Sequence, residues 1–121
     1  MAHMTILVVD DESSYSTLLS DVLASHKHHV VSAMNGSEAI KLLQSESVNL
    51  ILCDIEMPVM NGIAFHQHLQ NDKSLRKIPF CFLTGSDNPA HRNYAAQFPS
   101  VNFIPKSEVM SKLIPLLTQL S

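Results

Sequence analysis

Five short apolar runs, each followed by a helical pattern, constrain this chain more than any other feature. The runs are Ile6-Leu7-Val8-Val9, Val30-Val31, Leu50-Ile51-Leu52-Cys53, Phe80-Cys81-Phe82-Leu83 and Val101-Asn102-Phe103-Ile104. The run Leu50 to Cys53, with no polar alternation, suits a strand buried on both faces of a parallel sheet. Strand-then-helix repeated five times implies such a sheet with helices on both faces. The first helix, with Ser13 and Ser14 as caps, carries the stripe Leu18, Leu19, Val22 and Leu23. An Asn35-Gly36 turn leads to a helix from Ser37 to Gln44 with Ala39, Ile40 and Leu43 inward. After Asn61-Gly62 comes a helix with Ile63, Phe65, His66 and Leu69, then a polar loop through Asn71 to Ser74 and a strand from Ile78 to Leu83. Asn88-Pro89 opens a helix to about Phe98, with proline at a first-turn position where its missing N–H costs nothing. Ser107 can cap the last helix, and Pro115 inside it should kink or break it between Lys112 and Leu116.

The chemistry gathers where the runs end. Asp54 follows Cys53 directly, and Asp10-Asp11 close the first run. Carboxylates at the carboxyl ends of strands sit at the edge where open α/β folds collect their ligands. If the first and third runs are neighbours, three carboxylates meet there and repel. The usual remedy is a hard divalent cation with oxygen ligands and retained waters, which points to Mg²⁺. Thr84 ends the fourth run and Lys106 follows the fifth. A carboxylate, an acidic metal pair, a hydroxyl and an ammonium together suit chemistry on a phosphoryl group. Taken singly, these residues are ordinary: an Asp pair is commonly a turn or helix cap, Thr84 a turn residue, Phe103 a core aromatic and Lys106 a solvated lysine. Their joint order carries the reading.

Four pieces in that order, VVDDE from Val8 to Glu12, Asp54-Ile-Glu-Met57-Pro58 with Asn61-Gly62, Leu83-Thr84-Gly85, and Phe103-Ile-Pro-Lys106, resemble the receiver domain of two-component response regulators, CheY-like, over Thr5 to Leu120. The resemblance implies a flavodoxin-like, doubly wound, five-stranded parallel sheet of order 2-1-3-4-5, with strands one and three adjacent and ~5 Å apart. It implies that Asp54 takes a phosphoryl group from a histidine kinase or phosphotransfer protein. Mg²⁺ would be held by Asp11 directly, by Asp10 through water, and by Asp54 and the backbone carbonyl of Glu56. Lys106 and Thr84 would contact phosphoryl oxygens, Phe103 would be the switch aromatic, and Glu56 and Ser86 would tune phosphoryl lifetime. The reaction would be self-catalysed phosphotransfer and autodephosphorylation rather than turnover of a separate substrate. Output to a further domain or partner would pass through the face made by the fourth helix, fifth strand and last helix, with a phosphorylation-dependent homodimer as one form. The chain departs from the pattern in having Ser107, not proline, after Lys106, so the family's cis peptide there is not expected and the reach of Lys106 is open.

Length and composition set the bounds. The 121 residues, 45% apolar, fit one domain, read as Met4 to Ser121 after a vector remnant, Met1-Ala2-His3. A net charge of −3 and no long basic run point away from nucleic acid, and no apolar run reaches the ~18 residues that span a bilayer, so a cytoplasmic protein is expected. Cys53 and Cys81 read as free, packed thiols. A metal site of histidines is disfavoured, since His66 and His68, two apart on a helix, do not share a face. Three other functions compete. A haloacid-dehalogenase-type phosphatase needs a second Asp where Glu56 stands, and a cap domain. A flavin or nucleotide carrier needs a donor-rich first loop, which Asp10-Asp11-Glu12 would make repulsive. A phosphorylation-independent binding module does not need the filled acceptor, metal, hydroxyl and lysine positions.

Overall fold

The first, third and fourth apolar runs form the buried centre of the molecule, while Val30-Val31 and the run from Val101 to Ile104 lie on the edge strands and are partly exposed apart from Ile104. A computed structural model describes residues 3–120. Its strands are β1 (Thr5–Val9), β2 (His29–Ala33), β3 (Leu50–Asp54), β4 (Phe80–Thr84) and β5 (Asn102–Pro105), and its helices are α1 (Ser13–Ser25), α2 (Gly36–Leu43), α3 (Gly62–Gln70), α4 (Pro89–Ala96) and α5 (Val109–Leu120). All strands pair in parallel in the order β2-β1-β3-β4-β5. Every residue of β3 and β4 is buried.

Because side chains alternate across a strand, each central strand feeds two cores. Ile6, Val8, Leu50, Leu52, Cys81 and Leu83 face α1 and α5, meeting Leu19, Leu23, Leu113 and Leu117. Leu7, Val9, Ile51, Cys53, Phe80 and Phe82 face the opposite layer, with Ala39, Leu43, Phe65, Leu69 and Ala95. Both cysteines are free, and burial pushes the Cys81 thiol up to about 12 and that of Cys53 well above its usual range, so neither offers a thiolate at neutral pH. No helix among the described residues is long and apolar enough to cross a membrane.

Several local expectations are corrected. Glu12, not a serine, precedes α1, and no side chain caps it; Leu18 is exposed and the buried stripe is Leu19 and Leu23 with Tyr15 packed beside it. Asn35, Asn61 and Asn88 each cap a helix by accepting a backbone N–H, from Glu38, Ala64 and Ala90. A 3-10 turn, Leu75–Lys77, occupies the stretch before β4, which begins at Phe80 rather than Ile78. Ser107 lies within a second 3-10 turn, Lys106–Glu108. The helix runs unbroken through Pro115: this residue is exposed, while Leu113, Leu116 and Leu117 on either side are buried. Burial of three leucines, each worth roughly 1.5–3 kcal/mol, outweighs the ~3 kcal/mol penalty of proline in a helix. Met1 and Ala2 of the expected vector remnant lie outside the described residues, and His3 is exposed.

The histidines have individual places. His66 is buried among Phe80, Phe82, Tyr94 and Phe98, its Nδ1 lying 2.7 Å from the Tyr94 hydroxyl, whereas His68 is exposed. Nδ1 of His28 accepts the Met4 N–H at 3.1 Å, which closes the start of β1.

Among the described residues, two that are not glycine lie in the left-handed region, Lys27 at φ 71° and Val59, and the β-branched Val59 carries the greater strain. Val59, in the loop between β3 and α3, has φ 66°, is 84% exposed, and is spanned by a tight turn in which Met60 N donates to Pro58 O at 2.7 Å. A β-branched side chain in the left-handed region is an outlier, costing roughly 1–2 kcal/mol, with nothing packed on it to offset the cost. Val59→Asn, a residue that tolerates this region, should therefore stabilise the domain by about 1 kcal/mol. Urea unfolding checks this: a raised midpoint at constant slope is expected, and an unchanged or lowered midpoint contradicts it.

Candidate functional site

The strand register brings the expected residues to one edge. Val9 pairs with Cys53, Asp54 with Leu83 and Thr84 with Pro105, so the residues that follow or end β1, β3, β4 and β5 emerge side by side. Carboxylate oxygens of Asp10, Asp11 and Asp54 all lie within 4.8 Å of one another. Asp10 and Asp54 are buried, and Asp11 is exposed. The donor set is all oxygen and hard, with an open side at Asp11, and it fits a hydrated divalent cation such as Mg²⁺.

Each buried carboxylate is oriented by backbone. Oδ1 of Asp54 accepts the Ile55 N–H at 2.7 Å, and Oδ1 of Asp10 accepts the Glu12 N–H at 2.8 Å. The ammonium of Lys106 stands between their other oxygens, 2.9 Å from Asp10 Oδ2 and 3.3 Å from Asp54 Oδ2, with Glu12 at 3.6 Å. Replacement of the usual proline by Ser107 has therefore not kept Lys106 out of the site, and no cis peptide occurs among the described residues. Gly62 lets the next loop close over this edge: its N–H donates to Ile55 O at 2.8 Å, and a Cβ at this position would meet the Asp54 carbonyl.

The remaining predicted residues line the rim. The Thr84 hydroxyl donates to Ser86 O at 2.9 Å and accepts the Ser86 N–H at 3.2 Å, turning toward its own loop. Ser86 Oγ donates to Glu56 Oε1 at 2.7 Å, a pairing across the site that sequence reasoning had not joined although it named both residues. Phe103 is half-buried beside Phe82, ring centroids 6.5 Å apart. Tyr15 was missed: its ring lies under Lys106, with Nζ 4.5 Å from the centroid. Stepping back four residues at a time from Leu23 through Leu19 reaches Tyr15, a signal the sequence did contain.

Burial raises the Asp54 pKa from its ordinary 3.8, Lys106 opposes the shift and Asp10 adds to it. For Lys106, burial disfavours the ammonium, but Asp10 and Asp54 outweigh it and the net shift is upward. A carboxyl that is harder to ionise in the folded protein than in the unfolded chain contributes stability at low pH, which is lost as pH rises through its folded value. Asp54→Asn should accordingly stabilise the protein by on the order of 1 kcal/mol at neutral pH, the gain shrinking on acidification toward 3.8. Urea midpoints at two pH values test this, and a gain that grows on acidification contradicts it.

The family model for the response regulator receiver domain matches residues 6–118. The chain is a response regulator receiver domain. Among curated relatives, the receiver is 30% identical over 109 residues to a probable chemotaxis protein CheY of Rhizobium etli, a match covering 89% of this chain and 84% of that protein. It is 29% identical over 106 residues to a probable cyclic di-GMP phosphodiesterase of Vibrio cholerae, covering 88% of this chain but only 24% of the relative's length. Among solved structures, the response regulator TrrA of Thermotoga maritima, in complex with Mg(2+)-BeF, superposes with a TM-score of 0.84 at 27% identity, covering 97% of this receiver and 98% of that chain.

Proposed function

We propose that this receiver accepts a phosphoryl group on Asp54 from a histidine kinase or phosphotransfer protein and passes the change to an output partner or domain. The observation that carries the reading is Lys106 Nζ at 3.3 Å from a buried Asp54 carboxylate whose other oxygen is fixed by Ile55 N–H. An Asp54 oxygen would attack phosphorus, the O–P bond forming as the donor's N–P bond breaks and its imidazole takes up a proton. Lys106 would shift from carboxylate to phosphoryl oxygen as a compact ammonium. Thr84 would turn from Ser86 O to a second phosphoryl oxygen, and Phe103 would turn inward with it. Mg²⁺, held by Asp10, Asp11, Asp54 and the Glu56 carbonyl, would offset charge on the phosphoryl oxygens. Output would pass through α4, β5 and α5 as a shift between two conformers, with a phosphorylation-dependent homodimer as one form. The setting would be the cytoplasm, and the reaction would be self-catalysed and self-reversed rather than turnover of a separate substrate.

Intact mass after incubation with Mg²⁺ and acetyl phosphate tests the proposal. One phosphoryl group on the parent and none on Asp54→Ala is expected; equal gain by both overturns it. Glu56 and Ser86, hydrogen-bonded to each other at 2.7 Å, would together influence the hydrolytic water, so Glu56→Ala should change the half-life of the phosphorylated form severalfold. Equal half-lives for variant and parent would count against that role.

A further inference from the structure

We propose that Tyr15 is a positioning residue for Lys106, its ring face keeping the ammonium beside Asp54 while the negative partners around it change. This rests on the phosphoacceptor reading. Tyr15 lies in the first turn of α1, half-buried and packed on the core between the sheet and α1 and α5. The ammonium sits 4.5 Å from its ring centroid. Three carboxylates compete for the same ammonium, Asp10 at 2.9 Å, Asp54 at 3.3 Å and Glu12 at 3.6 Å. A lysine on a flexible four-carbon stem has no orientation of its own among such partners.

The ring supplies what the carboxylates cannot. Its quadrupole attracts the cation without hydrogen-bond direction, so the three N–H groups are free to turn toward whichever oxygen carries charge. It adds no charge, so it neither neutralises the ammonium nor competes with an arriving phosphoryl group. The polar end of Tyr15 does not hold the side chain in place: its hydroxyl is buried without a hydrogen-bond partner among the described residues. Burial also pushes this phenol up to about 12, so the ring stays neutral across the working range. The ring face, not the hydroxyl, is then the working part.

The test compares Tyr15→Phe and Tyr15→Leu in rate of phosphoryl uptake from acetyl phosphate with Mg²⁺, read by intact mass. Tyr15→Phe should stay within about twofold of the parent and Tyr15→Leu should be about 3- to 10-fold slower. In a Lys106→Ala background, Tyr15→Leu should slow uptake no further, because the interaction it removes is already gone. Slowing by Phe equal to that by Leu, or undiminished slowing in the Lys106→Ala background, overturns the inference. A second readout needs no phosphorylation. The ε-methylene protons of Lys106 should be shifted upfield by the ring current in the parent and Tyr15→Phe and return to ordinary positions in Tyr15→Leu, with the amide spectrum confirming the fold. Ordinary shifts in the parent overturn the inference even if Tyr15→Leu does not fold. A parent that takes up no phosphoryl group yet shows the upfield shift overturns the phosphoacceptor reading alone and supports the placement of Lys106 by Tyr15.

Discussion

Gly62→Ala is expected to destabilise the receiver by about 3 kcal/mol, at the upper end of overpacking costs. A Cβ at this position would lie 2.2 Å from the Asp54 carbonyl oxygen and 2.9 Å from Ile55 Cα. Both are backbone atoms, one of the last residue of β3 and one of the residue after it, so no side-chain rotation relieves the overlap. Either the loop lifts, breaking the Gly62 N–H bond to Ile55 O, or the end of β3 shifts and takes the Asp54 carboxylate with it. A fall of roughly 10 °C in melting temperature goes with a loss of this size in a domain of about 120 residues. Urea unfolding and thermal melting measure it; a midpoint within error of the parent would show that the close approach is not a constraint.

Lys106→Ala should have two large effects with different dependence on added metal. In the parent, one ammonium lies beside Asp10, whose side chain is only 2% exposed, and Asp54. Its removal leaves buried carboxylates without their cation and is expected to lower stability by about 3 kcal/mol in metal-free buffer. Because the folded Lys106 pKa is raised above 10.5, the ammonium is lost from these pairs only above that value, whereas acidification removes them by protonating the carboxylates, so the measurement belongs at neutral pH. Millimolar Mg²⁺ should restore much of the stability by compensating the same carboxylates. Phosphoryl uptake should still fall by about 100-fold with Mg²⁺ present, the usual cost of deleting one preorganised donor to a developing charge. Stability unaffected by the substitution, or uptake restored by Mg²⁺ to the parental rate, contradicts this assignment.

The legibility of the site in the sequence has a physical basis. A parallel sheet puts every strand's carboxyl end at one edge, so Asp10, Asp54, Thr84 and Lys106 could be grouped once their runs were recognised as strands. The parallel sheet with helices on both faces followed from the alternation of apolar runs with helical patterns, whereas the strand order 2-1-3-4-5 came from the family resemblance. What stayed hidden depends on tertiary distances or on one residue's backbone. The left-handed conformation of Val59 violates local preference and is imposed by the turn between Pro58 and Met60. The continuity of α5 through Pro115 depends on how deeply Leu113, Leu116 and Leu117 are buried, which a propensity argument does not weigh. The Glu56–Ser86 bond joins residues 30 apart in sequence. Tyr15 belonged to a readable stripe, but its contact with Lys106 joins residues 91 apart in sequence.

Borohydride trapping tests the central claim most directly. Borohydride reduces an aspartyl phosphate, an acyl derivative, to homoserine and leaves free carboxylates untouched, so the converted residue can be located by peptide sequencing after treatment with acetyl phosphate and Mg²⁺. The account predicts homoserine at position 54 alone, with Asp10 and Asp11 unchanged despite lying within 4.8 Å. Homoserine at either of those neighbours, or a phosphorylated protein with none at position 54, would contradict it.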